Sequence, residues 1–581
     1  MPIPSVNVTV LDGALGSVPP SVANIHVKIG VCSLATASVA ASKLIGSTTG
    51  GDGVTFTALT TGAGGNLINV TYATPSGGTT TVSVTGNAIT VNPKTGETNA
   101  GVVTAVQASG PASALVTVAA VVGTDLVIAV AQTFLSGGFT GTINTLFSET
   151  NPTQVITDLG YGPLTEAVVH SLNIAGGQVY AMPINASIAG TFSVVSKVGS
   201  AGVGVLTLTG APFDSYTAIV TIVATGGRGV GTFTYSLDNG KTTSNTFTIP
   251  SGGTYLIPST GITLNFSAAT FGATDFYTFS ATSPGFSVAD AQNALNALFA
   301  LPQTWGFVHI VGPAATSAGA ASLAAAVDVL MGAQALANNP RYAHAIIEVP
   351  QDTDVAITTA FGSTQTSRTT WCAGFETVAS AVAQAQLIRN CAFSVAARRA
   401  LKPIAEDDGR FASGNLPGVT SIARDESVTP NLDALSFTTL RTFGGVPGFY
   451  ITSGHMGVPT TSDYYLSQNR QVMDLGCTVG RQALLQFLND TIRVNKNNPN
   501  AGAITNANAT TIESYVNFQL AQALVGPGFA VAASIVIDRT VNLLSTRQLT
   551  YTVRITPNGY AKTIQGTFAL FNPALQIQAS T

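Results

Sequence analysis

The sequence predicts a multidomain α+β protein, in which a mixed α/β core is interrupted by two inserted all-β sandwich domains and carries strand arms at its ends. Three observations predict it. Over residues 24–46, 143–189 and 284–497 the apolar spacing alternates between period two and period three-to-four, the texture of helices laid against strands. Two blocks, 47–142 and 190–283, are dominated instead by Thr, Gly, Val and Ser at strand-and-turn spacing. Short alternating apolar runs lie near both ends, at 3–11 and 549–571.

Charge narrows the function classes. Asp, Glu, Lys and Arg make up 9% of the 581 residues, against roughly 25% in ordinary soluble domains. The net charge is −4 and the pI about 5.7, so no basic field exists to attract nucleic acid or anionic lipid. Residues 1–340 hold 6 Lys/Arg and 12 Asp/Glu, while 341–581 hold 17 and 15. Cys32, Cys372, Cys391 and Cys477 form no CxxC and no zinc spacing, as expected of reduced thiols in a cytoplasm. The start, MPIPSVNVTVLDG, lacks a basic and an apolar signal region, which predicts a protein made and kept in cytosol. A mean hydropathy of +0.36 draws attention to Ala112–Ala131, but Gly123-Thr124-Asp125 interrupts it. Two short strands about that turn suit the stretch better than a membrane helix.

Along the chain, IPSVNVTVL puts Val6, Val8 and Val10 on one face of a strand, and LDGALGSVPPS follows as a tether. NIHVKIGVCSLA resumes a strand, and the first Thr/Gly/Val block (VTFTALT, TTTVSVTG, AITVNP) reads as a small sandwich. PTQVITDLGYGPLTEAVVHSLNIAGGQVYAMPI reads as helices, a Gly-Gly stop and a strand. In the second block Asp238-Asn239-Gly240 is a hairpin turn signal. Helical and strand patterns then alternate to 497. A long amphipathic stretch (463–494), a polar linker, the helix TIESYVNFQLAQALVG and the strand FAVAASIVI precede a terminal hairpin, LTYTVRITPNGYAKTIQGTFALF, turning at Pro-Asn-Gly. A hairpin alone is marginal in water, so another chain is expected to pair with it.

Catalytic motifs are missing from the sequence: no phosphate loop, HExxH, nucleophile elbow or EF-hand loop. Gly227-Arg228-Gly229-Val230-Gly231 has the wrong spacing and sits in a β block. The five histidines are dispersed, and His309, after a strand, points only weakly to a crevice ligand site. Glu406-Asp407-Asp408 beside Arg398, Arg399 and Lys402 reads as a solvated loop rather than a metal site, or as charges that pair with a partner. No metal, cofactor or enzymatic activity is expected.

The run GFAVAASIVIDRTVNLLSTRQLTYTVRITPNGYAKTIQGTFAL resembles the C-terminal end of contractile tail sheath proteins of bacteriophages and related contractile injection systems. VITDLGYGPLTEAVVHSLNIAGGQVYAMPI resembles the helix, Gly-Gly turn and strand of the same family. The resemblance covers half to two-thirds of the chain. It implies an N-terminal linking arm (1–23), an α/β sheath core (24–46, 143–189 and 284–497), inserted immunoglobulin-like β-sandwich domains (47–142 and 190–283), and a C-terminal sheath domain with a linking hairpin (498–581). It implies a structural protein that polymerises helically around an inner tube by strand exchange and contracts to drive the tube through a target envelope. Val6, Val8 and Val10 match the linking arm, and Tyr551, Val553, Ile555, Ile564, Phe568 and Leu570 the C-terminal linking strands. Arg481, Arg493 and Glu513 are candidates for facing the tube, with solvated helix faces the alternative. The implied partners are other copies of the chain, an inner tail tube protein, and baseplate and tail terminator proteins, with no direct nucleic acid and no stable membrane insertion. The implied location is a virion tail assembled in a host bacterial cytoplasm. The disassembly-ATPase recognition helix that sheaths of secretion systems additionally carry has no candidate here, which favours a single-use phage-like machine. A surface-layer or adhesin-like protein is the second reading; it predicts a secretion signal and tandem β repeats to the C-terminus, and neither is visible.

Overall fold

The computed structural model describes residues 24–46, 53–312, 314–337, 339–497, 500–568 and 570. Two compact units divide at Arg470/Gln471. In the first, a seven-stranded sheet runs in the order Phe437–Thr438, Thr369–Cys372, His344–Glu348, Phe307–Val311, His26–Gly30, Val179–Pro183, Phe147–Glu149. All neighbours are parallel except the last, antiparallel pair. Parallel strands covered on both faces read as continuous apolar runs, as HVKIG, FVHIV and HAIIE do, and every residue of these three is buried.

One face of the sheet, with Val27, Ile29, Val308, Ile310, Ala345 and Ile347, shares a core with the helices Val288–Ala300 and Ser317–Ala335. The first helix starts where Ser287 and Asp290 form a reciprocal capping box. The second is the one helix among the described residues long and apolar enough to cross a membrane by length and composition. Its Leu323, Ala324, Val327 and Met331 lie in the sheet's core. The other face packs on Pro163–Ala175 through Val179, Ala181 and Val311, and on Ala392–Leu401 through Phe307, Ile346 and Cys372.

The first Thr/Gly/Val block departs from the all-β, immunoglobulin-like expectation. It holds a three-stranded antiparallel sheet (Ser42–Ile45, Val54–Ala58, Val116–Ala120) and a four-stranded one in which Asn69–Tyr72 and Ala88–Asn92 pair in parallel. A helix, Asn99–Ala108, buries Val102 and Val106 in the same core. β-branched content hid it, although Thr98 is its N-cap, accepting the Gly101 N–H. The apolar stretch at Ala112–Ala131 supplies the strand Val116–Ala120, and the next strand, Val130–Phe134, joins the other sheet. The neck of the block is tied by reciprocal bonds between Val39 and Phe139 (2.8 and 3.1 Å).

In the second block two antiparallel sheets, five-stranded and three-stranded, close over one core. Asn239 and Gly240 take positive φ (58° and 83°) in the turn after Thr232–Ser236, as their residue types favour. This sandwich also takes Ala385 and Leu387, from the hairpin Phe375–Ala379/Gln386–Asn390, into its core. Arg389 on that hairpin makes a buried two-pronged bond to Asp214 (2.9 and 2.7 Å), and Asp238 accepts the Gln386 N–H at 2.9 Å.

In the second unit the helix Asn506–Leu520, continued by a π-turn Ala521–Val525, precedes the strand Ala530–Ile537. That strand pairs antiparallel with Tyr551–Pro557. The expected Pro-Asn-Gly hairpin is therefore absent: no strand follows Pro557 among the described residues. Two causes are visible. FAVAASIVI offers an eight-residue apolar partner already held on a helix, and neither Asn558 nor Gly559 takes the positive φ that a tight Asn-Gly turn needs, the Asn558 side chain donating to the Gly528 carbonyl (2.8 Å).

Candidate functional site: an unpaired strand edge

The two-stranded sheet leaves two edges, and the register tells which backbone groups each presents. Asp538 N–H bonds to the Thr550 carbonyl at 2.9 Å, and residues in an antiparallel ladder alternate between bonded and non-bonded pairs. Val536/Thr552 and Ser534/Arg554 are thus bonded pairs, and Ile537/Tyr551, Ile535/Val553 and Ala533/Ile555 turn their N–H and C=O groups outward.

The two edges differ. On the Ala530–Ile537 side, the Asn517 side-chain oxygen accepts the Ile535 N–H and the Glu513 carboxylate accepts the Ile537 N–H, each at 2.8 Å. Arg539 completes this cover, pairing with Glu513 at 2.6 Å and donating to the Ile537 carbonyl at 3.2 Å. On the other side, Tyr551, Val553 and Ile555 carry no such bonds to the described residues. Tyr551 borders an apolar groove of about 460 Å³ lined by Leu484, Phe487, Leu488, Leu543 and Leu544, among others. Val553 and Ile555 are half-buried, with Ile555 lying against Gly476.

Of the residues named from the sequence, Tyr551, Val553 and Ile555 share this open edge. Ile564, Phe568 and Leu570 lie beyond it, 88%, 100% and 106% exposed, in a stretch without strand pairing. Val6, Val8 and Val10 lie outside the described residues. Arg493 is exposed and Arg481 half-buried on its helix. Glu513 is half-buried, and its carboxylate accepts the Ile537 N–H and pairs with Arg539. The sequence reading missed Asn517 and Arg539, since side-chain cover of an edge shows only once helix and strand are placed.

The chemistry-bearing residues of the first unit are interior. Lys28 donates to His309 Nδ1 at 3.0 Å, and His309 Nε2–H donates to Glu348 at 2.9 Å, all three fully buried. His309 thus lies in no crevice. Burial pushes the Lys28 ammonium down to about 7 against the pull of Glu348, and pushes the Glu348 carboxyl up to about 8 against the Gly312 N–H and nearby cations. The neighbouring cavity at Glu166, His170 and Arg389 has only about 30 Å³, room for about one water. The acidic loop corrects the solvated expectation at Asp408, which pairs with Arg399 at 2.6 Å, both buried; Arg410 pairs with Glu406, and Gln468 donates to Asp407 at 3.0 Å.

A family model described as DUF2586, N-terminal domain, matches residues 117–455, more than half of the chain. No curated protein matches it. Among solved structures, a sheath tail protein from Listeria innocua is similar, at 11% identity over 72% of this chain and 92% of that one, with a TM-score of 0.38. The sheath of an extracellular contractile injection system in its contracted state is similar at 12% identity over 48% and 74% (TM-score 0.35). The contracted helical sheath of the anti-feeding prophage matches at 12% over 51% and 78% (0.35).

Proposed function

The chain belongs to the DUF2586 family, and from that premise we propose that it is a structural, non-enzymatic subunit of a contractile tail sheath. The observation that carries this reading is an open edge at Tyr551, Val553 and Ile555, in the same unit as an alternately apolar stretch whose Ile564 and Phe568 are exposed to water. An unpaired edge and an uncovered apolar strand are complementary halves of strand addition. The sequence resemblance to sheath proteins, in one run between the two β blocks and one near the C-terminus, supports the same reading, and a surface so poor in charge favours self-association.

In this reading copies of the chain polymerise helically around an inner tube, with residues 1–23 as a second linking arm and the two β-rich blocks as insertions on the core. Contraction is a rigid-body repacking of subunits that stay tied by their strands. Arg481 and Arg493 remain candidates for facing the tube. Baseplate and terminator proteins would close the ends, in a virion tail assembled in a bacterial cytoplasm.

Electron microscopy of the purified protein over a concentration series tests the proposal. Hollow helical tubes or rings are expected, alone or on addition of a tube protein. Monomers under both conditions would refute it.

A further inference from the structure

Resting on that reading for its setting, we propose that Cys372 and Cys391 are a latent disulfide site, thiols where the chain is made and one cystine after a particle leaves the reducing cytosol. The two residues frame the hairpin Phe375–Ala379/Gln386–Asn390. Cys372 ends the strand before it, and Cys391 stands at the head of the helix Ala392–Leu401. Hydrogen bonds draw them together. The Cys391 N–H donates to the Gly374 carbonyl at 2.8 Å, and the Thr438 carbonyl accepts both the Ala373 N–H at 3.0 Å and the Cys391 thiol at 3.7 Å. Thr438 is also the cross-strand neighbour of Cys372. Both cysteine side chains are fully buried in one apolar cluster with Phe307, Ile346 and Leu440, and the Cys372 thiol is in hydrogen-bonding contact with that of Cys391. Cys32 packs in a different cluster. Two thiols meeting at the root of a hairpin supply what a disulfide requires, since the bond closes only where the backbone already brings its cysteines within about 7 Å.

The consequence lies in what the hairpin carries. Ala385 and Leu387 complete the core of the second β block, and Arg389 is bonded to Asp214 of that block. A bond from Cys372 to Cys391 closes the hairpin into a loop of about 20 residues and lowers the equilibrium constant for its unfolding about a hundredfold. The co-reactant is a small disulfide such as oxidised glutathione. One cysteine attacks it as the thiolate and releases one glutathione, and the other cysteine then displaces the second. Two protons leave the cysteines, their S–S bond forms as that of glutathione breaks, and the two electrons reside on the released thiols. Burial, with the neighbouring sulfur, holds the Cys372 thiol well above its ordinary value, so little thiolate exists while the hairpin is seated. Oxidation therefore proceeds through hairpin opening and is slow, which suits a fastening made after assembly.

The full-length protein, purified in reductant and then held in oxidised glutathione, tests this. Free thiols should fall from four to two, and non-reducing peptide mapping should find Cys372 joined to Cys391. A chain carrying both Cys32→Ser and Cys477→Ser should form the same link, and Cys391→Ala should form none. Asp214→Ala, which releases Arg389, should form it at least about tenfold faster, because opening rises with the stability lost. Mild urea on the unaltered chain serves the same purpose if that variant does not fold. The oxidised chain should unfold at a higher urea concentration and lose that gain in dithiothreitol. Four free thiols persisting in mild urea, mixed disulfides with glutathione alone, or a link to Cys32 or Cys477 would each overturn the proposal. Tubes whose thiols all stay reduced in the oxidant would sink the disulfide site and leave the sheath reading standing. A Cys372–Cys391 link in a protein that never forms tubes would do the reverse.

Discussion

Arg389 and Asp214 show how one residue pair can decide the status of a whole block. Both are buried, and their two-pronged bond joins the second β block to a hairpin of the core. Removing one member of such a pair strands a buried charge at about 3–5 kcal/mol. Glu166, at 3.9 Å from Arg389, remains as a weak substitute, so Asp214→Ala should cost near the lower figure, about 3 kcal/mol, read from the urea midpoint. A second residue-scale expectation concerns pH. Glu348 has its carboxyl raised to about 8 in the folded chain, above the usual carboxylate value. At this group the folded state then binds more protons than the unfolded one between the two values, and its contribution to stability falls as pH rises through that window. Glu376, likewise buried and raised to about 8, adds in the same direction. Glu348→Gln should flatten this fall by its share while leaving the Glu376 share, seen as Tm against pH from about 4.5 to 8.

At the scale of elements, helix starts follow local chemistry and strand partners do not. Ser287 and Asp290 satisfy each other's backbone donors at the head of Val288–Ala300. Ser287→Ala should cost about 1 kcal/mol by chemical denaturation, with the fold unchanged. Tyr551–Pro557 is a strand on its alternation alone, but its partner is Ala530–Ile537 and not the stretch after Pro-Asn-Gly. The competition was settled by a helix already holding one candidate and by a backbone at Asn558-Gly559 that does not take the positive φ of a tight turn. Neither fact has a sequence signature: the first depends on a residue brought near from 18 positions away, and the second runs against what Asn-Gly favours.

In the first unit taken whole, the two β-rich blocks are attached differently. The first has its own core, from Ala41 to Leu135, and a neck closed by Val39 and Phe139. The second shares its core with Ala385 and Leu387 and holds the buried Arg389. Replacing 40–138 by a short Gly-rich link should leave the seven-stranded sheet folded, with near-normal cooperativity in calorimetry. Replacing 190–283 the same way should lower Tm sharply or prevent folding, because it uncovers apolar side chains and strands a guanidinium. Equal tolerance of both deletions would contradict the shared core.

Composition and periodicity alone determined that this chain alternates α/β and Thr/Gly/Val-rich regions, that it has little charge, and that Tyr551, Val553 and Ile555 lie on a strand, since these depend on spacing along one chain. The helix within the first block, the internal placement of His309 and Asp408, and the cover that Glu513 and Asn517 give one strand edge were decided only by tertiary structure. Each of these turns on which distant groups compete for the same hydrogen bond or the same buried volume. A backbone N–H on a strand edge is identical in sequence whether Asn517 covers it or water does, and only the folded chain shows which.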